Sequence, residues 1–245
     1  MNAMKVKYML TALFLSVLAT TFAACGNEAD GIRQQYQDTT ATTVRLLYMG
    51  QASIRIVTEN GKVIYIDPYA GDQYDLAADL ILITHEHFDH NAVAKVRNRK
   101  PDCRIIRAKD AIIDGIHQSF RIDNITIEAV EAGCNSHHDV KECVGYVLTF
   151  GNGRKVYVSG DTSITEQMRS MSEMHIDYAF LCTDGVYNMG NEEAEQAAKM
   201  IKAHHTIPYH NSVSNNGEMF DREAAERFNV SGKIVLLPGE TILVE

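Results

Sequence analysis

The segment LILITHEHFDHNA, residues 80–92, constrains the fold of this chain more than any other stretch. Its apolar run is typical of a strand buried on both faces, and it ends abruptly in the polar stretch HEHFDH. Burying three imidazoles and a carboxylate without partners would carry several desolvation penalties at once. Imidazole and carboxylate are the usual ligands of zinc and similar ions. The HxHxDH pattern therefore predicts a metal site at a strand end, in preference to a merely polar, solvated loop.

The sequence around this motif predicts a strand-rich domain over residues 44–245. Short apolar runs are joined by two hairpin signals, one at Asn60-Gly61 and one at Gly151-Asn152-Gly153. Amphipathic stretches predict helices within 164–174, within 191–205 with Asn191 as the N-cap, and within 221–230. Strands that precede and then alternate with helices indicate an α/β sandwich in one domain, with outer helices covering the sheets.

The first 24 residues have the features of an export signal. Lys5 and Lys7 precede an apolar core of about eleven residues, shorter than the roughly 20 that span a membrane. The sequence TFAAC that follows resembles the lipobox of a bacterial lipoprotein. We therefore expect cleavage before Cys25, a lipid on Cys25, and a flexible tether over 25–43. The product would be an exported lipoprotein, anchored to a membrane on its periplasmic or outer-surface side. The alternative is a plain secretory signal cut near Ala23 or Ala24.

The net charge bears on nucleic-acid binding, and the cysteine content bears on disulfide formation. The formal net charge of −9 repels phosphate backbones, so we expect no nucleic-acid partner. Apart from Cys25, the chain has four cysteines and none in a CxxC spacing. Cys134 and Cys143 bracket one polar loop and would be the likeliest pair if a disulfide forms, but free buried thiols are favoured over it. The sequence does not indicate an oligomeric state.

The HxHxDH motif after a buried strand resembles that of the metallo-β-lactamase-fold hydrolases. That resemblance implies an αββα sandwich of two facing mixed sheets flanked by helices. It also implies three further ligands downstream, which can be sought one by one. The segment NSHHDVKECVGYV offers His138, with His137 as the alternative; VYVSGDT offers Asp161, and TIPYHN offers His210. The VGY and P-x-H elements are similar to those of the branch related to ascorbate-6-phosphate lactonase.

The same resemblance implies a centre for two divalent metal ions, with zinc favoured and manganese or iron as alternatives. His85, His87 and His138 would hold one ion. Asp89, His90 and His210 would hold the other, and Asp161 would bridge the two. A metal-bridged hydroxide would then cleave an ester-type bond, namely a lactone, phosphodiester or carboxylic ester, with Asp89 and Asp161 as catalytic residues. The substrate would be a small or lipid-like molecule. The alternatives are a metal-retaining binding lipoprotein without turnover and an oxygen-handling diiron protein.

Other polar residues receive weaker assignments. Asp67 ends a strand ahead of the motif, and the resemblance implies that it steadies a ligand histidine. Cys182 and Asp184 follow another buried strand and either face the cleft or serve as turn and packing residues. His204 and His205 are expected to close a helix, where a cation interacts well with the helix dipole. His117 and His175 are expected at the surface.

Overall fold

Two six-stranded sheets face each other in the computed structural model, which describes residues 43–213 and 219–245. The strands of the described residues are β1 Val44–Gly50, β2 Ser53–Val57, β3 Val63–Ile66, β4 Ala78–Leu82, β5 Arg99–Ile106, β6 Ile112–Ile113, β7 Ile116–His117, β8 Ser119–Ile122, β9 Ile125–Glu131, β10 Val144–Thr149, β11 Lys155–Val158, β12 Tyr178–Cys182, β13 His205–Tyr209 and β14 Thr241–Val244. The helices there are α1 Ala108–Ala111, α2 Asn191–Ile201 and α3 Arg222–Arg227, with 3-10 turns at Val93–Lys95, Gln167–Arg169 and Met171–Met174.

Both sheets are mixed, and each has a parallel half and an antiparallel half. The first sheet has the order β14-β1-β2-β3-β4-β5, in which β3, β4 and β5 are parallel neighbours. The second has the order β13-β12-β11-β10-β9-β8, in which β11, β12 and β13 are parallel neighbours. Short hairpins join the antiparallel strands, including β2 to β3 and β10 to β11, as the two glycine-containing turn signals predict. The predicted αββα-type sandwich is confirmed.

Alternation along the strands gives the first sheet two buried faces. Ile64 and Ile66 of β3 join a large apolar cluster shared with the second sheet, whereas Val63 and Tyr65 join a smaller cluster on the outer face. β4 divides its residues in the same way. Tyr74 and residues of the 3-10 turn at Val93–Lys95 belong to the outer cluster, so irregular segments cover that face. The described residues therefore contain fewer outer helices than a helix-flanked sandwich implies.

The helix predictions need correction at their ends. α2 begins at Asn191 with Gly190 as its N-cap, and it ends at Ile201 because Lys202 adopts a left-handed conformation with φ of 56°. His204 and His205 therefore do not close the helix, and His205 instead begins β13. The predicted helix within 164–174 is replaced by two 3-10 turns. Each turn buries one methionine, Met168 in the first and Met171 in the second.

The predicted leader, the lipidation site Cys25 and nearly all of the tether 25–43 lie outside the described residues. Within residues 43–213 and 219–245, no helix combines the length and apolar character that crossing a membrane requires. The open disulfide question is answered here, because Cys134 and Cys143 are both free thiols. The Cys134 side chain is exposed to solvent and Cys143 is buried, so the two residues face different environments.

Candidate metal centre

The predicted ligands converge because parallel strands deliver them to one edge of the sandwich. The HxHxDH segment follows β4 of the first sheet, and Asp161 and His210 follow β11 and β13 of the second. His138 lies on the loop between β9 and β10. The carboxyl ends of parallel strands are the usual position for ligands in open α/β sheets. Residues spread along the chain from 85 to 210 are therefore gathered at one place.

Glycine at position 160 permits this convergence. Gly160 precedes Asp161 and has φ of 61°, a left-handed conformation that side chains disfavour. A Cβ atom there would lie 2.8 Å from Cβ of Thr84 and 2.9 Å from the carbonyl oxygen of Val144. The turn that presents Asp161 therefore packs directly against the segment that leads into His85.

Three groups of side chains in the described residues have donor atoms spaced for binding a metal ion. The groups are His85, His87 and His138; His85, His90 and Asp161; and Asp89, His90 and His210. Within each group the candidate ligand atoms all lie within 4.8 Å of one another. The structure thus brings together all seven predicted ligands, and two of the groups coincide with the two triads inferred from the sequence.

Asp161 lies between the two triads with one oxygen toward each. Its Oδ2 is 3.3 Å from Nε2 of His138 and 3.9 Å from Nε2 of His85. Its Oδ1 is 3.3 Å from Nε2 of His90 and 3.4 Å from Nε2 of His210. A carboxylate that presents its two oxygens to separate sets of imidazoles has the arrangement of a bridging ligand.

Several buried polar atoms in this cluster have no hydrogen-bond partner and are suited to coordinate a metal ion. Nε2 of His85, Nε2 of His90 and Oδ1 of Asp161 are buried and lack a hydrogen-bond partner among the described residues. Buried polar atoms are nearly always paired, so each unpaired one needs an explanation. All three are the usual ligand atoms for zinc, manganese or iron. A cation between the triads would satisfy them together.

The electrostatics of the cluster also favour a cation. Burial and the neighbouring His90 lower the pKa of His85 to about 2, and burial with His138 lowers the pKa of His87. Burial opposes the charge on Asp161, but the adjacent His210 and His90 outweigh it and hold its pKa well below the usual range. His85 and His87 are therefore neutral imidazoles beside the ionised carboxylate of Asp161, and these are the protonation states that metal binding requires.

His90 and His210 hold protons that a metal cation would displace. Burial alone would lower the pKa of His90, but the carboxylates of Asp161 and Asp67 raise it to about 10. The pKa of His210 is likewise raised well above its usual value by Asp161, Asp184 and Asp89, against the effect of burial. Both rings owe their protons to surrounding negative charge. A divalent ion would compensate the negative charge of the same carboxylates, and the two histidines would then release those protons.

Asp67 orients two of the ligand histidines. Its Oδ2 lies 2.8 Å from Nδ1 of His90 and accepts the Thr84 hydroxyl at 2.7 Å. The Thr84 oxygen is in turn 3.1 Å from Nδ1 of His85. Both rings therefore bond to protein through Nδ1, which leaves Nε2 of each facing Asp161. The role expected for Asp67 agrees with this placement.

Asp184 occupies the corresponding position on the second sheet. Its Oδ2 lies 3.5 Å from Nδ1 of His210, and its side chain is fully buried. Its Oδ1 accepts the backbone amides of Val186 and Tyr187 at 2.8 and 2.7 Å. The carboxylate thus fixes the loop that follows β12 and places a negative charge beside the ring of His210. Cys182, by contrast, is buried and directs its thiol to the carbonyl of Thr162, so it is a packing residue.

Gln51 is the residue at this site that the sequence did not reveal. It lies in the tight turn between β1 and β2, and its Nε2 donates to Oδ2 of Asp89 at 3.1 Å and lies 3.1 Å from Nε2 of His210. Its carbonyl accepts the backbone amide of His210 at 3.0 Å. Gln51 and His210 both have positive φ, 48° and 43°. Strained backbone of this kind clusters at functional sites, but no local sequence pattern marks it in advance.

The remaining histidines lie away from the ligand positions. His137 is exposed, and its ring contacts Tyr187 edge-on at 5.2 Å. His205 begins β13 and stacks on Tyr178, at the opposite end of that strand from His210. A surface cavity of about 740 Å³ at the same end is lined by Lys199, Lys202, His204 and neighbouring residues, so it is separate from the metal cluster. His175 is exposed in a turn, whereas His117 in β7 is partly buried.

Comparisons with known proteins agree with this architecture. The family model described as "Beta-lactamase superfamily domain" matches residues 45–210. A UPF0173 metal-dependent hydrolase from Thermococcus onnurineus is 29% identical over 81% of this chain and 99% of its own length. Another, from Anoxybacillus flavithermus, is 31% identical over 68% of this chain and 85% of its own length. Igni18, a metallo hydrolase from Ignicoccus hospitalis, superimposes with a TM-score of 0.65 at 24% identity, covering 83% of this chain and 99% of its own.

Proposed function

Since this chain belongs to the beta-lactamase superfamily and is a metal-dependent hydrolase, we propose that it hydrolyses an ester-type bond at the cluster around Asp161. The observation that carries the proposal is the position of Asp161, whose two oxygens face separate triads of ligand atoms. That arrangement suits two adjacent divalent ions. Zinc suits these ligands, and manganese or iron are alternatives that depend on supply.

Each ligand set would hold one ion. His85, His87 and His138 supply three imidazoles on one side, and Asp89, His90 and His210 supply a carboxylate and two imidazoles on the other. Bound divalent ions lower the pKa of water toward about 7 and polarise a carbonyl or phosphoryl oxygen. The protein needs no nucleophilic side chain for such a reaction. This agrees with burial raising the pKa of the Cys143 thiol to about 12, which keeps it protonated at neutral pH.

We assign proton transfer to Asp89. Its side chain remains 18% exposed, whereas the carboxylate of Asp161 is 5% exposed. Burial would raise the pKa of Asp89, but His210 and His90 beside it hold that pKa below the usual range. An ionised carboxylate at the edge of the cluster orients a water molecule and accepts its proton as the bond is attacked. Asp161, buried between the triads, keeps its charge and holds the two sides together.

The substrate we propose is a small or lipid-like molecule that carries a lactone, a carboxylic ester or a phosphodiester. The net charge of −9 disfavours a nucleic acid. A lipid on Cys25 would place the enzyme at a membrane outside the cytoplasm. The alternative is a lipoprotein of the same fold that retains metal without turnover. It is weakened by the completeness of the ligand set, because enzymes that lose turnover usually lose a ligand as well.

A hydrolase panel tests the proposal. Metal-loaded protein is assayed on a lactone, a carboxylic ester and a phosphodiester, alongside Asp161→Asn and the surface variant Asp114→Asn, which changes an exposed residue between β6 and β7. We expect turnover of at least one substrate, lost in Asp161→Asn and kept in Asp114→Asn. Failure of the wild type on all three substrates, with metal retained, would favour the binding protein instead.

A further inference from the structure

Large apolar side chains are concentrated on the loops that form the metal cluster. Seven such side chains are exposed in the described residues, and four of them belong to these loops. Phe88, 66% exposed, lies between the ligands His87 and Asp89. Val186 and Tyr187 are 58% and 50% exposed on the loop fixed by Asp184, and Val213 follows His210 by three residues.

These side chains are held in place relative to the ligands. The ring of Phe88 contacts the ring of Tyr69 edge-on, with centroids 5.7 Å apart. The backbone amides of Val186 and Tyr187 are bonded to Asp184, whose other oxygen lies 3.5 Å from His210. The backbone of Val186 and Tyr187 therefore cannot move away without disturbing the Asp184 carboxylate, which lies beside a ligand histidine.

The apolar groups lie on ligand-bearing or adjoining loops that follow strands of both sheets. Phe88 follows β4 of the first sheet, and the loop of Val186 and Tyr187 follows β12 of the second. Tyr187 also contacts His137, the neighbour of the ligand His138. Single exposed apolar residues are ordinary, but apolar residues gathered around a cluster of polar groups are typical of a ligand site. The polar groups act on the reacting bond, and the apolar groups bind the rest of the molecule.

We propose that the substrate of this centre carries an apolar acyl chain on the scissile ester or lactone bond, bound by Phe88 and by the loop of Val186 and Tyr187. This inference rests on the proposed function and names its substrate class. In the reaction, the oxygen of water bonds to the acyl carbon and the bond from that carbon to the alcohol oxygen breaks. One proton of water passes to Asp89, which delivers it to the departing alkoxide, and the other proton stays on the new carboxyl group. The products are a carboxylic acid with an apolar chain and an alcohol.

The matched control for this surface is Ile116. It is 66% exposed, like Phe88, but it lies on β7, which pairs only with β6 and carries no ligand. Phe88→Ser, Tyr187→Ser and Ile116→Ser therefore remove similar exposed apolar groups in two different places. Metal content is measured for all three, because Phe88 lies within the ligand segment. A variant that retains metal has kept the centre, and its effect on substrates then reports on chain binding.

The experiment compares kcat/KM for the p-nitrophenyl esters of butanoate and octanoate. Each methylene that leaves water contributes about fourfold, so the wild type is expected to favour octanoate by about tenfold or more. Phe88→Ser and Tyr187→Ser should each reduce that preference severalfold, and Ile116→Ser should leave it unchanged. A second readout needs no turnover: octanoate should bind the wild type more tightly than butanoate does, and the same two variants should remove the difference.

Equal kcat/KM for the two esters in the wild type would overturn the inference and leave the proposed function standing. Equal effects of Ile116→Ser and Phe88→Ser would also overturn it. Hydrolysis of neither ester would count against the proposed function, whereas loss of octanoate binding in Phe88→Ser would then still support the apolar surface. Equal turnover of both esters, with binding of the wild type but not the variants to phosphatidylcholine vesicles, would assign the surface to a membrane instead.

Discussion

Nε2 of Gln51 donates a hydrogen bond to Oδ2 of Asp89 at 3.1 Å, across a separation of 38 residues in the chain. The same nitrogen lies 3.1 Å from Nε2 of His210, and the backbone of Gln51 accepts the amide of His210. A single residue of the β1–β2 turn therefore touches two members of one triad and none of the other. Gln51 holds the carboxylate to which we assign proton transfer.

Gln51→Met keeps the length of the side chain and removes its hydrogen bonds. Partners of metal ligands typically contribute 10–100-fold to metal affinity, so we expect at least one ion to bind about tenfold more weakly. Competition with a chelator measures this directly. Gln196→Met, an exposed change on α2, is the control. In an Asp89→Ala background, Gln51→Met should have little further effect, because the two residues act as a unit. Additive losses would contradict the role assigned to Gln51.

Gly160→Ala tests whether the turn before Asp161 is packed too closely against Thr84 and Val144 to accept a side chain. The change places a Cβ against Thr84 and Val144 in a left-handed backbone conformation. Strain and overpacking together predict a loss of about 3 kcal/mol in the free energy of unfolding. Gly153→Ala is the control, since Gly153 has φ of 82° but no atom within 4 Å of the added Cβ. Its loss should be limited to about 1–2 kcal/mol. If urea denaturation gave equal losses for the two variants, contact with Thr84 and Val144 would not be a source of destabilisation at Gly160.

Asp79 gives the fold a pH dependence at a place remote from the metal ligands. Burial would raise its pKa, but hydrogen bonds from Lys100, the amide of Val63 and Lys62 together lower it below 3.8. A lowered pKa means that the stabilisation is complete above the pKa of the unfolded chain. It is lost as the pH falls through the lower pKa of the folded protein.

Asp79→Asn should therefore lower the free energy of unfolding at pH 7 by about 1–3 kcal/mol. The difference from the wild type should shrink below about pH 4, because the wild-type carboxyl then becomes protonated too. Asp75→Asn is the comparison, since its bridge to Arg55 involves an Asp75 side chain that is 67% exposed. Exposed bridges contribute about 0–1 kcal/mol. An Asp79→Asn difference that persists unchanged at low pH would show that charge is not the cause.

Local sequence patterns predict much of the fold. They fail for residues whose role or conformation depends on contacts with distant parts of the chain. The hairpins at Asn60-Gly61 and Gly151–Gly153 depend on turn residues within a few positions, and the six-residue metal motif is equally local. Gln51 could not be found that way, because its partner His210 is 159 residues away. The sequence does not decide the role of Asp184 for the same reason, because its neighbour His210 is distant in the chain. The local sequence around His204 and His205 predicts a helix end. In the structure the helix ends earlier, and His205 begins β13, which pairs with β12.

The membrane location depends on Cys25, which lies outside the described residues. If Cys25 carries a lipid, Cys25→Ser should move the protein from the membrane fraction to the soluble fraction of the cell. Cys134→Ser is the control, because Cys134 is an exposed free thiol in the folded domain and should leave the distribution unchanged. A wild-type protein that is already soluble would exclude the lipoprotein assignment without affecting the metal centre.

The most direct test of the whole account is the metal content of the purified protein after it is supplied with zinc, manganese or iron. We predict about two ions per chain for the wild type and for His137→Ala, and a clear loss for His138→Ala, whose Nε2 lies 3.3 Å from Asp161. Circular dichroism of each sample checks that the fold is retained. A folded wild-type protein that binds none of these ions, or a His138→Ala protein that binds as many as the wild type, would contradict the centre described above.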